Sequence, residues 1–524
     1  MKLEKYNKAW LLEYQKIQAY VEQSLAIGKI NHGGLSAIEG LSSLPIIDVH
    51  ITIPSINDLP LVNDSLILSN YHCLGLIDKG KYYYNNNTID FFPHIIFVII
   101  EDSLANKKER LFKELIAKEP TLIKEFQTYL EKILIGDVSL EYYYRIIDYF
   151  INTKLSLQNL IDKLIPILYP DFNNSIYNIT ESLKKHYLVN YTKKTIDILD
   201  QELQAKKQVF FVLIDGLGLN ILNYHLPVNS FLRKNLKEKL TSIFPSTTVA
   251  ATTTLETGKL PGKTGWIGWQ QYFPSINRHV VMFNNCDYYT EEKLSNFNTK
   301  EELAVESVFD SFENTIVKML WPSFRSEGFS SFAAMIDEAI GIAKETEPHF
   351  TYLYWDELDH YLHDYGCFHP KVGKILLKID QELARLYENI NSQTTIIITA
   401  DHGLIDIKPI YLNRFKELTS HFRYKPALEG RAAAFYVNNK EGFKELFERY
   451  FGAYFLLLSK EEFIEKGLLG TISKENIGFI GDFMAIAIDE YSFITNTSEE
   501  SFKAAHAGLT SFEMLVPLII SSKN

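Results

Sequence analysis

Gln208–Gly218 reads QVFFVLIDGLG, and the fold turns on how this stretch is read. The six consecutive apolar residues Val209–Ile214 are too few for most helices and fit a strand buried on both faces of a parallel sheet. The run stops at Asp215, so a carboxylate stands at the strand's carboxyl end. In open α/β sheets the loops leaving those ends form the ligand crevice. The same grammar recurs twice. Phe350–Trp355 runs into Asp356, Asp359, His360 and His363, and Thr394–Thr399 runs into Asp401 and His402. Three strands are therefore expected to deliver carboxylates and imidazoles to one edge.

Working outward, strands alternate with helices from about residue 206 to the end, which predicts a mainly parallel sheet flanked by helices. We take 206–524 as the chemical domain, with an insertion around 266–345. Residues 1–205 read as a separate N-terminal region of mixed α/β to helical character. Its first 27 residues carry Trp10, Tyr14, Ile17, Val21 and Leu25 on one helical stripe, with Gly28 as a stop. Residues 41–101 are strand-rich and 102–205 helical. The region shows no chemical motif, and its expected roles are to gate the crevice or dock a protein partner.

A net charge of -12 argues against a nonspecific nucleic-acid surface, which needs a basic face to release counterions. The three cysteines, Cys73, Cys286 and Cys367, are odd in number and widely spaced. They cannot form a disulfide framework and fit a reducing compartment. The N-terminus lacks the apolar run of a secretory signal, and no window offers the ~18 apolar residues of a membrane span. The expected location is cytoplasmic, with export by a signal elsewhere in the chain left open.

Leu240–Gly258 reads LTSIFPSTTVAATTTLETG. Leu240–Phe244 is expected to be a strand closed by Pro245, and Thr247–Glu256 a helix capped by Ser246 or Thr247. A hydroxyl at such a turn faces the crevice beside free backbone N–H groups, which suits a nucleophile attacking phosphorus. The competing reading of a threonine-rich run is capping and packing. Asp359/His363 and Asp356/His360 are both spaced i, i+4, so either pair can face a cation from one side of a helix. His506, ahead of the apolar run Met514–Ile520, adds an imidazole from a loop that must reach over the crevice.

Taken together, LIDGLG, FPSTT, TTLETGKLPGKTGWIGW, YWDELDHYLHDYG, ITADHGL, EGRAAAFYV, IGDFMAIA and HAGLTSFEMLVPLI resemble the alkaline phosphatase superfamily. The resemblance is to its nucleotide pyrophosphatase/phosphodiesterase branch and the related PglZ-type proteins, over residues 206–524. It implies an alkaline-phosphatase-like α/β core and a metal-dependent phosphodiesterase or nucleotide pyrophosphatase acting on phosphodiester or nucleotide substrates. It also implies two zinc ions, with manganese as the alternative. Asp215, Asp401 and His402 would hold one ion, and Asp359, His363 and His506 the other. This selects Asp359/His363 over Asp356/His360. Thr248 matches the nucleophile and would bridge toward the metals, with Thr247 as runner-up.

Two positions depart from the family pattern. Ala251 stands where many members carry a phosphate-binding asparagine, and Ala507 replaces the glycine after the last ligand histidine. No sulfatase signature occurs. The alternatives are a phosphomonoesterase or phosphomutase on the same core, or a catalytically weakened signalling or binding module.

Overall fold

The computed structural model describes residues 3–86, 91–118, 121–133, 143–144, 147, 151, 166–495 and 502–523. The chain forms two compact units. One comprises Met1–Leu164, Ile410–Ser420 and Glu441–Tyr454, and the other Ile165–Pro409, His421–Lys440 and Phe455–Asn524.

In the first unit, helix Ala9–Glu22 buries Trp10, Tyr14, Ile17 and Val21, four of the five residues of the expected stripe, and ends before Leu25. Five strands lie in the order Lys29–His32, Ile47–Ile53, His94–Ile100, Lys81–Asn85, His72–Asp78. Ile47–Ile53 and His94–Ile100 pair in parallel, and the other ladders are antiparallel. Every residue of His94–Ile100 is buried, as its unbroken apolar run requires. Helices Leu104–Lys118 and Thr121–Ile133 follow. Most of the helical reading between 134 and 165 falls outside the described residues.

The second unit is built on a six-stranded sheet ordered Ile316–Leu320, His349–Trp355, Gln208–Ile214, Thr394–Thr399, Leu515–Ser522, Leu236–Thr241. The first four strands run parallel, and Leu515–Ser522 is antiparallel to both its neighbours. Gln208–Ile214 is central and buried throughout. Helices Ile176–His186, Leu219–His225, Thr248–Thr257, Phe332–Ile342 and Pro370–Asn389 bury apolar residues in the same core. Ile176–His186 and Asp197–Leu203, which lie before residue 206, thus pack in the unit that carries the sheet.

A second sheet of seven antiparallel strands is ordered Cys286–Asp287, Arg278–Val281, Gln270–Phe273, Phe422–Leu428, Ala432–Val437, Phe483–Ala487, Phe455–Ser459. The stretch 266–345 therefore feeds three strands to this sheet and the Ile316–Leu320 edge strand to the other.

The strand expected over Leu240–Phe244 instead spans Leu236–Thr241. Lys237 and Lys239 lie on its exposed face, and these charges broke the apolar pattern. After Thr241 the chain leaves the ladder, although Ser242 N–H still donates to the Met514 carbonyl at 2.6 Å.

Two glycines fix how closely the strand-end loops meet. A Cβ on Gly403 would lie 2.1 Å from the Phe512 carbonyl oxygen, and one on Gly218 would lie 2.6 Å from Gly403 Cα. The backbone after Asp215 thus touches the backbone after His402, a distance no side chain permits. Gly403→Ala is expected to cost about 1–3 kcal/mol of stability by overpacking and to shift the His402 loop. Thermal unfolding of the variant checks this.

Candidate active site

Because four strands are parallel, the carboxyl ends of Gln208–Ile214, His349–Trp355 and Thr394–Thr399 share one edge. Asp215 and Asp401–His402 leave two of those ends directly. The third continues into helix Glu357–Tyr365, which carries Asp359 and His363 one turn apart. Leu515–Ser522 runs the other way, so its first residues sit at the same edge, and the loop bearing His506 leads into that end. Leu236–Thr241 ends opposite Leu515 and leads through Thr247 into helix Thr248–Thr257. Five chain segments converge.

Thr248 Oγ1 lies 3.3 Å from Asp215 Oδ2 and 3.1 Å from His402 Nε2. His402 Nε2 is 3.5 Å from Asp215 Oδ1 and 3.4 Å from Asp401 Oδ2. Across the site, His363 Nε2 is 3.3 Å from Asp359 Oδ2, and the His402 and His506 rings stack at 3.8 Å. Asp356 and His360 stay apart from this cluster: they are 3.9 Å from one another, and the His360 side chain is 69% exposed.

The donor chemistry suits divalent cations. Asp215 Oδ1, Asp359 Oδ1 and Asp401 Oδ2 are buried and have no hydrogen-bond partner. Each imidazole points its Nδ1 at a backbone carbonyl: His363 at Ala504 (2.8 Å), His506 at Ser246 (3.1 Å) and His402 at Gly403 (3.2 Å). An Nδ1–H donated to a carbonyl leaves Nε2 as the lone pair a metal needs. Ligand atoms of Asp359, His363 and His506 lie within 4.8 Å of one another, as do those of Asp215, Asp359 and His402. Asp359 belongs to both groups, and Asp401 Oδ2 stands beside His402 in the second.

The electrostatics show the strain of this crowding. Burial, followed by the charges of Asp401 and Asp359, pushes the Asp215 carboxyl well above its ordinary range. Burial opposes ionisation of Asp359 too, but His363 beside it holds that carboxyl well below the usual range. Burial and the neighbouring His402 push His506 well below its ordinary value. A bound cation relieves the conflict at Asp215 and suits the other two groups as they stand, because it favours carboxylate and neutral imidazole together.

Several supporting residues went unassigned in the sequence. The Tyr354 hydroxyl donates to Asp215 Oδ2 from inside the strand FTYLYW, where it reads as one more buried aromatic. The Thr247 hydroxyl makes no capping bond and instead donates to Glu429 Oε1 at 2.7 Å, which also accepts from Trp269 N–H at 2.6 Å. Burial lifts Glu429 to about 7.

Arg431 and Glu513 form a fully buried bidentate pair at 2.6 and 2.8 Å. Glu513 also accepts from Gly508 N–H and the Thr510 hydroxyl, fixing the turn that follows His506. The only sequence signal was the T-x-x-E capping pattern at Thr510. Ala507, next to His506, has a φ of 91°. This left-handed region suits glycine and costs another residue on the order of 1 kcal/mol. Its methyl is buried in an apolar cluster, which offsets part of that cost. Ala251 is likewise buried in the core and offers the crevice no polar group.

Comparison with known proteins gives the family. The type I phosphodiesterase/nucleotide pyrophosphatase family matches residues 209–509, more than half of the chain. The chain belongs to that family. Human ectonucleotide pyrophosphatase/phosphodiesterase family member 1 is 24% identical over 242 residues, 41% of this chain and 26% of that protein. The chain thus spans about a quarter of that relative's length. Among solved structures, murine ectonucleotide pyrophosphatase/phosphodiesterase 5 is 20% identical, covering 60% of this chain and 88% of its own at a TM-score of 0.47. Phosphonoacetate hydrolase from Sinorhizobium meliloti 1021, in complex with phosphonoformate, is 16% identical, covering 60% and 90% at a TM-score of 0.46. A second family, GrpB protein, matches residues 1–152.

The chain is thus an alkaline-phosphatase-superfamily protein with an α/β core. Among the described residues no helix is long and apolar enough to cross a membrane. Removing one partner of the buried pair, as in Arg431→Met, is expected to destabilise the chain by about 3–5 kcal/mol, since Glu513 is left as an unpaired buried charge. Arg385→Ala, which breaks a partly exposed pair with Glu382 and Asp337, is expected to cost under about 1 kcal/mol. Chemical denaturation of both variants measures the contrast.

Proposed function

We propose that the chain is a two-metal phosphodiesterase or nucleotide pyrophosphatase whose nucleophile is Thr248. The observation that carries this reading is the hydroxyl of Thr248 within 3.3 Å of Asp215 and 3.1 Å of His402, beside three buried carboxylate oxygens without partners. Asp215, Asp401 and His402 would hold one ion, and Asp359, His363 and His506 the other. Zinc suits this mixed nitrogen and oxygen set, and manganese is the alternative. Such ions, when bound, supply charge stabilisation at the phosphoryl group and lower the pKa of a coordinated hydroxyl.

The chain's own residues account for the rest of the cycle. Thr248 Oγ1 attacks phosphorus, its proton passing to solvent, since Asp215 and His402 Nε2, which face it, would be engaged as metal ligands. The P–O bond to the leaving group breaks as the bond to Oγ1 forms, leaving a phosphothreonine ester. Backbone N–H groups in the first turn of helix Thr248–Thr257 face the developing charge, a role the buried Ala251 methyl cannot share. Water then attacks phosphorus and restores the threonine hydroxyl. The substrate class is a phosphodiester or nucleotide, taken from the family.

Thr248→Ala is expected to keep the fold and the metals while lowering diester turnover by several orders of magnitude, with Thr248→Ser retaining a measurable fraction. Steady-state kinetics on bis-p-nitrophenyl phosphate checks this, and faster turnover of p-nitrophenyl phosphate would favour a monoesterase. Asp359→Ala and His506→Ala are each expected to bring metal content from two ions per chain toward one. Elemental analysis of the purified variants reads the stoichiometry, and full occupancy in both would remove these residues from the site.

A further inference from the structure

The N-terminal unit encloses a cavity of about 270 Å³ within residues 34–151, of a size that suits a small ring compound. Its polar end carries Asp48, His50, Lys81 and Glu109, and its walls include Ile77, Phe97, Phe112 and Ile147. His50 is 5% exposed. Its Nδ1 lies 2.9 Å from Glu109 Oε2, so that N–H donates to the carboxylate. Burial drives the imidazole below its ordinary pKa against the pull of Glu109, which keeps it neutral. Nε2 is then a bare lone pair, buried and without a partner, and such an acceptor is unfavourable until a donor meets it.

The backbone makes room for this arrangement. A Cβ on Gly33 would sit 2.3 Å from the His50 ring, and one on Gly34, at a φ of +56°, would sit 1.7 Å from Asp48 Oδ2. Two adjacent glycines thus let both side chains lie against the turn. Lys81 bonds to Glu109 and holds its Nζ 4.3 Å over the centre of the Phe97 ring. An ammonium has three donors, so Lys81 can also serve a ligand. His50, through Nδ1, and Lys81 share Glu109, so the cavity's polar end carries both an acceptor and a donor beside the Phe97 ring.

That pairing selects among ligands. A carboxylate would find Lys81, Lys108 and Lys113 but offers no donor to His50 Nε2. An ammonium would meet Lys81 and Lys108, which also lines the cavity. We propose that this cavity binds a small planar heterocycle through its lactam edge, the ring N–H donating to His50 Nε2 and the adjacent carbonyl accepting from Lys81, with the ring against Phe97 and Phe112. This does not rest on the phosphoesterase reading, which concerns the other unit.

The test uses the full-length chain and matched probes: uracil and phthalimide against 1,3-dimethyluracil and N-methylphthalimide, which keep shape and carbonyls but lose the donor. Saturation-transfer NMR and calorimetry are expected to show binding of the parents and at least about tenfold weaker binding of the methylated forms. His50→Phe should remove that discrimination. Ala105→Leu, which narrows the cavity and leaves the polar groups intact, should weaken every probe, with thermal unfolding confirming that both variants fold. Parents that fail to bind the native chain, methylated probes that bind as well, or binding indifferent to Ala105→Leu would each overturn the proposal.

Discussion

Asp215, Asp359 and Asp401 bring three buried carboxylates to one edge of an apolar sheet, each with an oxygen that no hydrogen bond satisfies. Like charges at this spacing, taken out of water, repel strongly. The surrounding chain is arranged to hold them there. Tyr354 hydrogen-bonds Asp215 from the core side, and the backbone N–H groups of Gly216 and His402 bond the other oxygen of Asp401 at 3.1 and 3.0 Å. The Gly218–Gly403 contact keeps the two loops from spreading. The Arg431–Glu513 pair fixes the turn after His506, so that the imidazole meets the carboxylates from the remaining side. A protein that spends stability in this way does so where a ligand of opposite charge restores it.

The parallel sheet is what makes the convergence geometrically cheap. Parallel strands send every carboxyl end to one edge, so residues nearly two hundred positions apart in the chain, such as Asp215 and Asp401, become neighbours without long loops. The single reversed strand at Leu515–Ser522 serves the same end, since reversal puts its first residue, and hence His506, at that edge.

Much of this was legible in the sequence because its signals are local and strong. Unbroken apolar runs mark the central strands, and a carboxylate ending such a run marks the crevice. Less legible were features that depend on the partner strand. Leu236–Thr241 carries three consecutive charges, Lys237, Glu238 and Lys239, which hide a strand at the sheet's edge, and Leu515–Ser522 gives no sign of its direction. Tyr354, Glu429 and Arg431 act through partners remote in the chain, so neither composition nor spacing exposes them. Thr247 had the composition of a cap, but a buried glutamate outcompeted the helix for its hydroxyl. The N-terminal unit hides its polar cluster because Asp48 and His50 sit in a strand that otherwise reads as core, and Glu109 comes from a helix that reads as solvated.

The central claim is that displacement at phosphorus occurs twice, first by Thr248 and then by water. Each in-line step inverts configuration, so the pair together retains it. Hydrolysis of a phosphorothioate diester of one configuration in isotopically labelled water, followed by assignment of the product's handedness, reads this directly. The account predicts net retention. Net inversion would show a single displacement by water and contradict it.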